Sequence, residues 1–300
     1  MMPLPPNVPE LAALDLLRSV VHLGSMSRAA ELHRITQPSA SSRIRSLERQ
    51  LGVRVLDRSP TGSQPTPDGQ LIAGWADEVL GAAERLATGV ESLRAHRTGL
   101  LRIAASYTIA EYLLPPWLDR FLDDRPDDSV VVDVTNSRAV LDRLDAGKVD
   151  LGFVESPTVP PTIREQLVGT DELIVVVAPR HRWARVDSID LATLASTPLV
   201  LREVGSGTRD ALDQELARLG VPAPSSVLDL GSISAVRVAV INGSSPTVIS
   251  RLAVAEDLER GTLVEVPVDG LRIDRQLRAV WSKKVEPSRL AVDLLEHLAP

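Results

Sequence analysis

The stretch from Gly24 to Pro67, GSMSRAAELHRITQPSASSRIRSLERQLGVRVLDRSPTGSQPTP, decides the architecture of this 300-residue chain. It reads as two short helices joined by a tight turn and followed by a basic two-stranded wing. Ser27 has the side chain of an N-cap, and Ala29, Ala30 and Leu32 give the first helix a small apolar face. After Arg34-Ile35-Thr36 the chain restarts, with Pro38 near the first position of a second helix, where its missing N–H is harmless. Ala40, Ile44, Leu47 and Leu51 recur at helical spacing and face inward. Gln37, Ser39, Ser42, Arg43, Ser46 and Arg49 are left on the outer face. Small hydroxyls permit close approach there, while Gln and Arg reach base edges or phosphates. Gly52 ends the helix.

Charge is distributed unevenly around this stretch. The formal net charge is −7, which by itself argues against nucleic acid. Residues 24–60, however, hold seven arginines against Glu31, Glu48 and Asp57, a local balance of +4. Residues 99–300 hold 22 basic and 30 acidic side chains, a balance of −8. A small basic module on an acidic body suits a specific duplex reader better than a general nucleic-acid coat. An aromatic content of 3% argues against single-strand binding on stacked rings.

Upstream, Asn7 with Glu10 reads as a capping box that opens a helix through Leu23. Leu11, Leu14, Leu17, Val20 and Val21 supply its inward face and close a three-helix core. Residues 53–67 form the wing, with Pro60, Gly62 and Pro65 at its tip.

Several short strings in this region agree in order and register with one family. They are Ala29-Ala30-x-Leu32, Gln37-Pro38-Ser39-x-Ser41, Ile44-x-x-Leu47-Glu48-x-x-Leu51-Gly52, Leu56-x-Arg58 and Thr66-Pro67-x-Gly69. Together they resemble the winged helix-turn-helix of LysR-type transcriptional regulators. The resemblance implies that Gln37, Pro38, Ser41, Ser42 and Arg43 read double-stranded DNA, with Ser27 and Arg58 on phosphates. It departs from the family's usual pattern at Asp57, where Phe is usual, and at Arg43, where Gln is frequent.

From Asp68 to Arg97 no proline interrupts a long helix. Leu71, Trp75, Val79, Ala83, Leu86, Val90 and Leu93 step along it by three or four residues, a seam of coiled-coil type. By the resemblance this linker pairs two subunits, and the family leans to homotetramers.

After Gly99 the texture changes to alternating strands and helices, and the near-continuous apolar run Leu173–Ala178 suits a buried parallel strand. Gly99-x-Leu101-Arg102-Ile103, Leu113-Leu114-Pro115, Gly147-x-Val149-Asp150-Leu151-Gly152, His181-x-Trp183-Ala184 and Gly261-x-Leu263-Val264 look like the LysR effector domain, which resembles periplasmic binding proteins. The fold class expected is therefore α/β, with an all-α winged helix-turn-helix and a linker helix before a two-lobed effector domain. Residues 1–67 form the DNA-binding domain, 68–98 the dimerisation helix and 99–300 the effector domain. Lobe one covers 99–177 and 267–300, and lobe two 178–266.

Ligands of α/β sheets favour the carboxyl ends of strands. Four such junctions carry hydroxyls or glycines: Ser106-Tyr107-Thr108, Thr135-Asn136-Ser137, Gly205-Ser206-Gly207-Thr208-Arg209 and Ser232-Ile233-Ser234. Serine and threonine are also ordinary N-caps, but two glycines beside hydroxyls expose more backbone N–H than a cap requires. By the resemblance, Ser106, Ser137 and Thr208 line the effector cleft. The expected effector is a small anionic metabolite held by Ser106, Thr108, Ser137, Ser206 and Thr208, with Arg202 or Arg209 as counter-charge. At Gly243-Ser244-Ser245-Pro246 the family usually has a second glycine, so Ser245 is expected to reshape one wall if that position needs a positive φ.

Other classes lack support. There is no cysteine, and the histidines (22, 33, 96, 181 and 297) show no metal spacing. No Gly-x-Ser-x-Gly elbow or Walker loop is present, so neither catalysis, metal nor cofactor is expected. His33 is expected to be solvated or on a phosphate. No signal peptide is evident, which leaves the cytoplasm as the default compartment. The alternative reading is a small-molecule-binding protein of the same fold without specific DNA reading, favoured only by Asp57.

Overall fold

The computed structural model describes residues 5, 7–59, 62–95 and 99–299. The chain divides into two compact units, Met1–Thr88 and Gly89–Pro300.

The N-terminal unit begins with α1 (Leu11–Leu23), α2 (Met26–Leu32) and α3 (Gln37–Leu51). Leu16, Leu17, Val20, Ala29, Ala30, Ala40, Ile44 and Leu47 form one core, with Ala76 and Leu80 of α4 (Pro67–Ala95) joining it. The alanines of α2 and α3 let these short helices approach closely, and each fully buried Leu or Ile contributes about 1.5–3 kcal/mol. Two details differ from the sequence reading. Glu10 occupies the N-cap of α1 without a side-chain cap bond, so no Asn7–Glu10 capping box forms. Leu11 is exposed, and Leu16 takes the inward position.

The wing is an antiparallel pair, β1 (Leu56–Ser59) with β2 (Gly62–Pro65). Leu56 stands opposite Pro65, which places Pro65 at the base of the wing rather than its tip. Pro60, also expected at the tip, lies outside the described residues. The wing is anchored from two sides. Glu48 of α3 accepts from the amides of Val55 (3.0 Å) and Leu56 (3.4 Å). Thr66 Oγ1 donates to the Arg54 carbonyl (2.7 Å) and accepts from the Gly69 amide (2.9 Å). A Cβ at Gly69 would stand 1.9 Å from the Val55 carbonyl oxygen, so only glycine lets the first turn of α4 lie against the wing. Asp57, paired with Gln64, is exposed, while Val55 and Leu56 supply the buried anchor. A charge at position 57 therefore leaves the wing seated.

The second unit is an α/β body whose main sheet runs β4-β3-β5-β11-β6-β9-β7-β8, with β10 also on β6. In chain order its elements are β3 (Leu100–Ser106), α5 (Tyr107–Tyr112), α6 (Leu114–Leu122), β4 (Ser129–Thr135), α7 (Ser137–Asp145), β5 (Leu151–Val154) and β6 (Ile163–Val177). There follow α8 (Leu191–Ser196), β7 (Leu199–Arg202), α9 (Gly207–Arg218), β8 (Ser226–Leu230), α10 (Ile233–Asn242) and β9 (Thr247–Ser250). The chain closes with α11 (Arg251–Glu259), β10 (Val264–Glu265), β11 (Ile273–Ser282) and α12 (Arg289–His297). Strands β3, β4 and β5 run parallel, as do β7, β8 and β9. The apolar run in β6 is buried as its composition demands, but it pairs antiparallel with both β9 and β11.

Strands β6 and β11 cross between two sets of cores. Leu173, Val175, Val177 and Ile273 pack with Trp183, Leu199, Leu212 and Val248. Leu277 and Ala279 pack with Leu101, Ile103, Phe153 and Leu294. The change of core falls on polar positions, Asp171 and Arg275, so Leu173–Val177 belongs with the second lobe rather than the first.

Candidate functional site

The outer face of α3 carries the first candidate surface. Thr36 caps the helix, accepting from the Ser39 amide, and Pro38 sits in the first turn as expected. Gln37, Pro38, Ser39, Ser42, Arg43, Ser46 and Arg49 are all exposed. Ser41 is not: it is 6% exposed, and Gln37 Nε2 donates to its Oγ at 3.3 Å. Its helical phase, one position after buried Ala40, turns it toward the core, which removes it from the DNA-facing set. Ser25, not Ser27, caps α2 and accepts from the Arg28 amide, while Ser27 is exposed in the first turn. The backbone of Arg58 belongs to β1, and its side chain lies outside the described residues. His33 is half-buried with Nε2 2.8 Å from Ser19 Oγ, a packing role rather than a free phosphate contact.

In the α/β body the carboxyl ends of β3, β4, β5 and β7 converge. Ser106 ends β3 and Thr108 follows it in α5, both buried; Ser137 opens α7 after β4, Glu155 follows β5, and Ser206 and Thr208 open α9 after β7. The segments after β4 and β7 meet directly. The Arg138 amide donates to the Gly205 carbonyl (3.1 Å), and Asn136 Nδ2 donates to Glu203 Oε1 (3.2 Å). A Cβ at Gly207 would come within 2.9 Å of Ser137 Oγ and of the Glu155 carbonyl carbon, so a side chain there would wedge the two lobes apart.

Arg275 of β11 lies at the centre. Its Nε donates to Asp171 Oδ2 (2.7 Å), Nη1 to Thr208 Oγ1 (3.1 Å) and Nη2 to Thr108 Oγ1 (2.9 Å). Glu155 Oε2 is 3.8 Å from Nη1 and accepts from Ser137 Oγ at 3.4 Å. One guanidinium thus ties a hydroxyl from each lobe to a carboxylate on the crossing strand.

These two features, a helix-turn-helix with a wing and a two-lobed body with a buried polar cluster, match family models over most of the chain. Residues 11–70 match the bacterial regulatory helix-turn-helix protein, lysR family, and residues 94–300 match the LysR substrate binding domain. The chain belongs to the LysR family of transcriptional regulators. This LysR-type regulator is 40% identical to the HTH-type transcriptional regulator Rv2282c of Mycobacterium tuberculosis, over 99% of this chain and 98% of that one. Among solved structures it is similar to the Synechocystis CcmR regulatory domain in complex with 2-PG, with 26% identity and a TM-score of 0.61 over 67% of this chain and 95% of that one. Full-length OxyR of Pseudomonas aeruginosa shares the fold at a TM-score of 0.58 and 22% identity, over 97% of this chain and 100% of that one.

Within this LysR-type regulator the two expected counter-charges are occupied. Arg202 is bonded to Glu203 (2.8 and 3.0 Å) and lies 4.8 Å over the Tyr107 ring. Arg209 donates to the Arg202 carbonyl (3.1 Å) and to Asp229 (2.8 Å). Asp210 and Asp213 on the same helix have carboxyls raised above the usual range, chiefly by burial. The central cation is instead Arg275, which sequence reasoning missed together with Asp171 and Glu155. A signal was present: Ile273, Arg275, Leu277 and Ala279 alternate along one buried face, and a charged residue in such a register needs a partner. Ser245 does not occupy a positive-φ turn, so serine there costs no backbone strain. Among the described residues no cluster suits a metal ion, and no helix is long and apolar enough to cross a membrane.

Proposed function

We propose that this LysR-type regulator reads operator DNA through Gln37, Pro38, Ser42 and Arg43 of α3, with Ser27, Arg58 and the basic wing on the backbone. The observation that carries this is the run of exposed polar and basic side chains on α3, opposite the buried face of Ala40, Ile44 and Leu47. Arg43, where the family often has Gln, favours a guanine through bidentate bonds to O6 and N7. A small-molecule effector binds where Ser106, Thr108, Ser137, Ser206 and Thr208 meet, and lobe closure around it changes how the heads engage DNA. Nothing in this arrangement requires catalysis, and the protein acts by binding in the cytoplasm.

The oligomer is built through α4. Leu71, Trp75, Val79, Leu86 and Val90 follow the seam and are exposed, Trp75 by 61% and Leu86 by 71%. Exposed large apolar side chains at coiled-coil spacing mark a protein interface. The resulting homodimer matches a two-fold related operator, and pairing of dimers gives a tetramer. The test is a gel shift of the full chain on its own upstream intergenic DNA against unrelated duplex competitor. Selective retention on the upstream fragment supports the reading. Equal competition by any duplex contradicts it.

A further inference from the structure

The polar atoms of the cleft leave a specific deficit. Every nitrogen of the Arg275 guanidinium already has an acceptor: Nε and Nη2 have Asp171 Oδ2, at 2.7 and 2.6 Å, Nη2 also has Thr108, and Nη1 has Thr208. The two carboxylates beside it are only half satisfied. Asp171 Oδ1 and Glu155 Oε1 are buried without any partner, as is Ser106 Oγ. These side chains are deeply enclosed, with Asp171 and Glu155 exposed by 1% and 4%.

Charge points the same way. Asp171 and Glu155 carry two negative charges against the one positive charge of Arg275, while Arg202 and Glu203 cancel one another. A second anion brought here would find each nitrogen of Arg275 already engaged and would deepen the excess around that guanidinium. An uncompensated buried charge and an unpartnered buried acceptor are each costly, and the matching group for both is a cationic donor.

We propose that the effector of this cleft carries a protonated amine, which donates to Glu155 Oε1 and Asp171 Oδ1 and balances the excess negative charge. This rests on the cleft being the effector site. Arg275 then holds the two carboxylates in place rather than contacting an anionic effector, and Ser106 Oγ, also buried without a partner, offers a further acceptor. Such an amine enters as the free cation of an alkylamine or as the ammonium group of an amino acid.

The test uses full-length protein and thermal-shift titrations with methylammonium chloride, putrescine, glycine and L-lysine. Sodium acetate, sodium phosphate and calcium chloride at matched ionic strength are the comparison. Each is repeated on Glu155→Gln and Asp171→Asn, with ligand-induced shifts taken relative to each variant's own melting temperature. Saturable stabilisation by at least one amine probe, weakened about tenfold or more in apparent affinity by both variants, is the expected result. Response to methylammonium and putrescine indicates a simple amine, and response confined to glycine or lysine indicates an amino acid. Saturable stabilisation by acetate or phosphate alone, lost in Thr208→Ala, would overturn the amine while leaving the cleft as the effector site. Amine stabilisation equal in wild type, both carboxylate variants and Thr208→Ala would overturn the cleft as well. Stabilisation by calcium alone, or by no probe, also overturns the proposal.

Discussion

Arg275 and Asp171 stand directly opposite one another in the antiparallel pair of β11 and β6, and their side chains meet at 2.6–2.7 Å. They sit where the two crossing strands pass from the core around Trp183 to the core around Phe153. The ion pair thus marks the seam between lobes, and Thr108 and Thr208 tie it to each side.

Removing one member of this pair leaves a buried charge without compensation. Arg275→Ala is expected to cost about 3–5 kcal/mol, and the double variant Arg275→Met/Asp171→Leu to recover most of it. Chemical denaturation of the two variants checks this. Equal losses in both would show that the pair is not what holds the seam.

Gly207→Ala places a Cβ within 2.9 Å of backbone at Glu155 and should hold the lobes apart. Hydrogen exchange at the Arg138 amide, bonded to Gly205 across the cleft, is expected to quicken. Unchanged protection of that amide would mean the cleft absorbs the methyl group.

Gly69→Ala is expected to destabilise the wing by about 1–3 kcal/mol, because its methyl would overlap the Val55 carbonyl. Glu48→Ala removes two anchoring bonds to the same strand. Both variants should weaken operator binding with α3 intact, as read by gel shift beside a melting curve. Full affinity in both would show that the wing contributes nothing to binding.

The His181 ring has its pKa lowered from the ordinary 6.5, first by burial and then by the Arg182 charge. The fold therefore prefers the neutral ring, which accepts from the Trp183 amide at 3.1 Å. Its stabilising share is complete above pH 6.5 and declines as pH falls through the lowered pKa. An NMR titration should place the midpoint below 6.5, and a midpoint at or above that value would contradict the assignment.

Periodicity made much of this molecule legible. The inner positions of α3 were readable because burial imposes helical spacing, and the run Leu173–Ala178 because a buried strand is apolar, while the α4 seam keeps helical spacing with Leu71, Trp75, Val79, Leu86 and Val90 exposed. The half of β6 at Ile163–Glu172 was not readable, since IREQLVGTDE is largely polar and becomes a strand only by pairing with β11. Between α5 and α6 the chain restarts at Leu113–Pro115, where Pro115 and Pro116 stand in the first turn of the second helix. The cleft hydroxyls were visible at strand ends. Their shared cation was not, because Arg275 lies some 70 residues downstream of Thr208, bonded to it across a sequence separation of 67.

If α3 reads bases through its exposed face, Arg43 sets a base preference at one position of the operator. Gel shifts of wild type and Arg43→Ala on upstream DNA, and on the same DNA with each G·C pair of the footprint exchanged, are compared across a salt series. Wild type is expected to lose about 1–3 kcal/mol at one G·C position, and Arg43→Ala no longer to distinguish that exchange. If Arg43→Ala kept wild-type discrimination at every position and lost only salt-dependent affinity, Arg43 would be a backbone contact and base reading through this face would be contradicted.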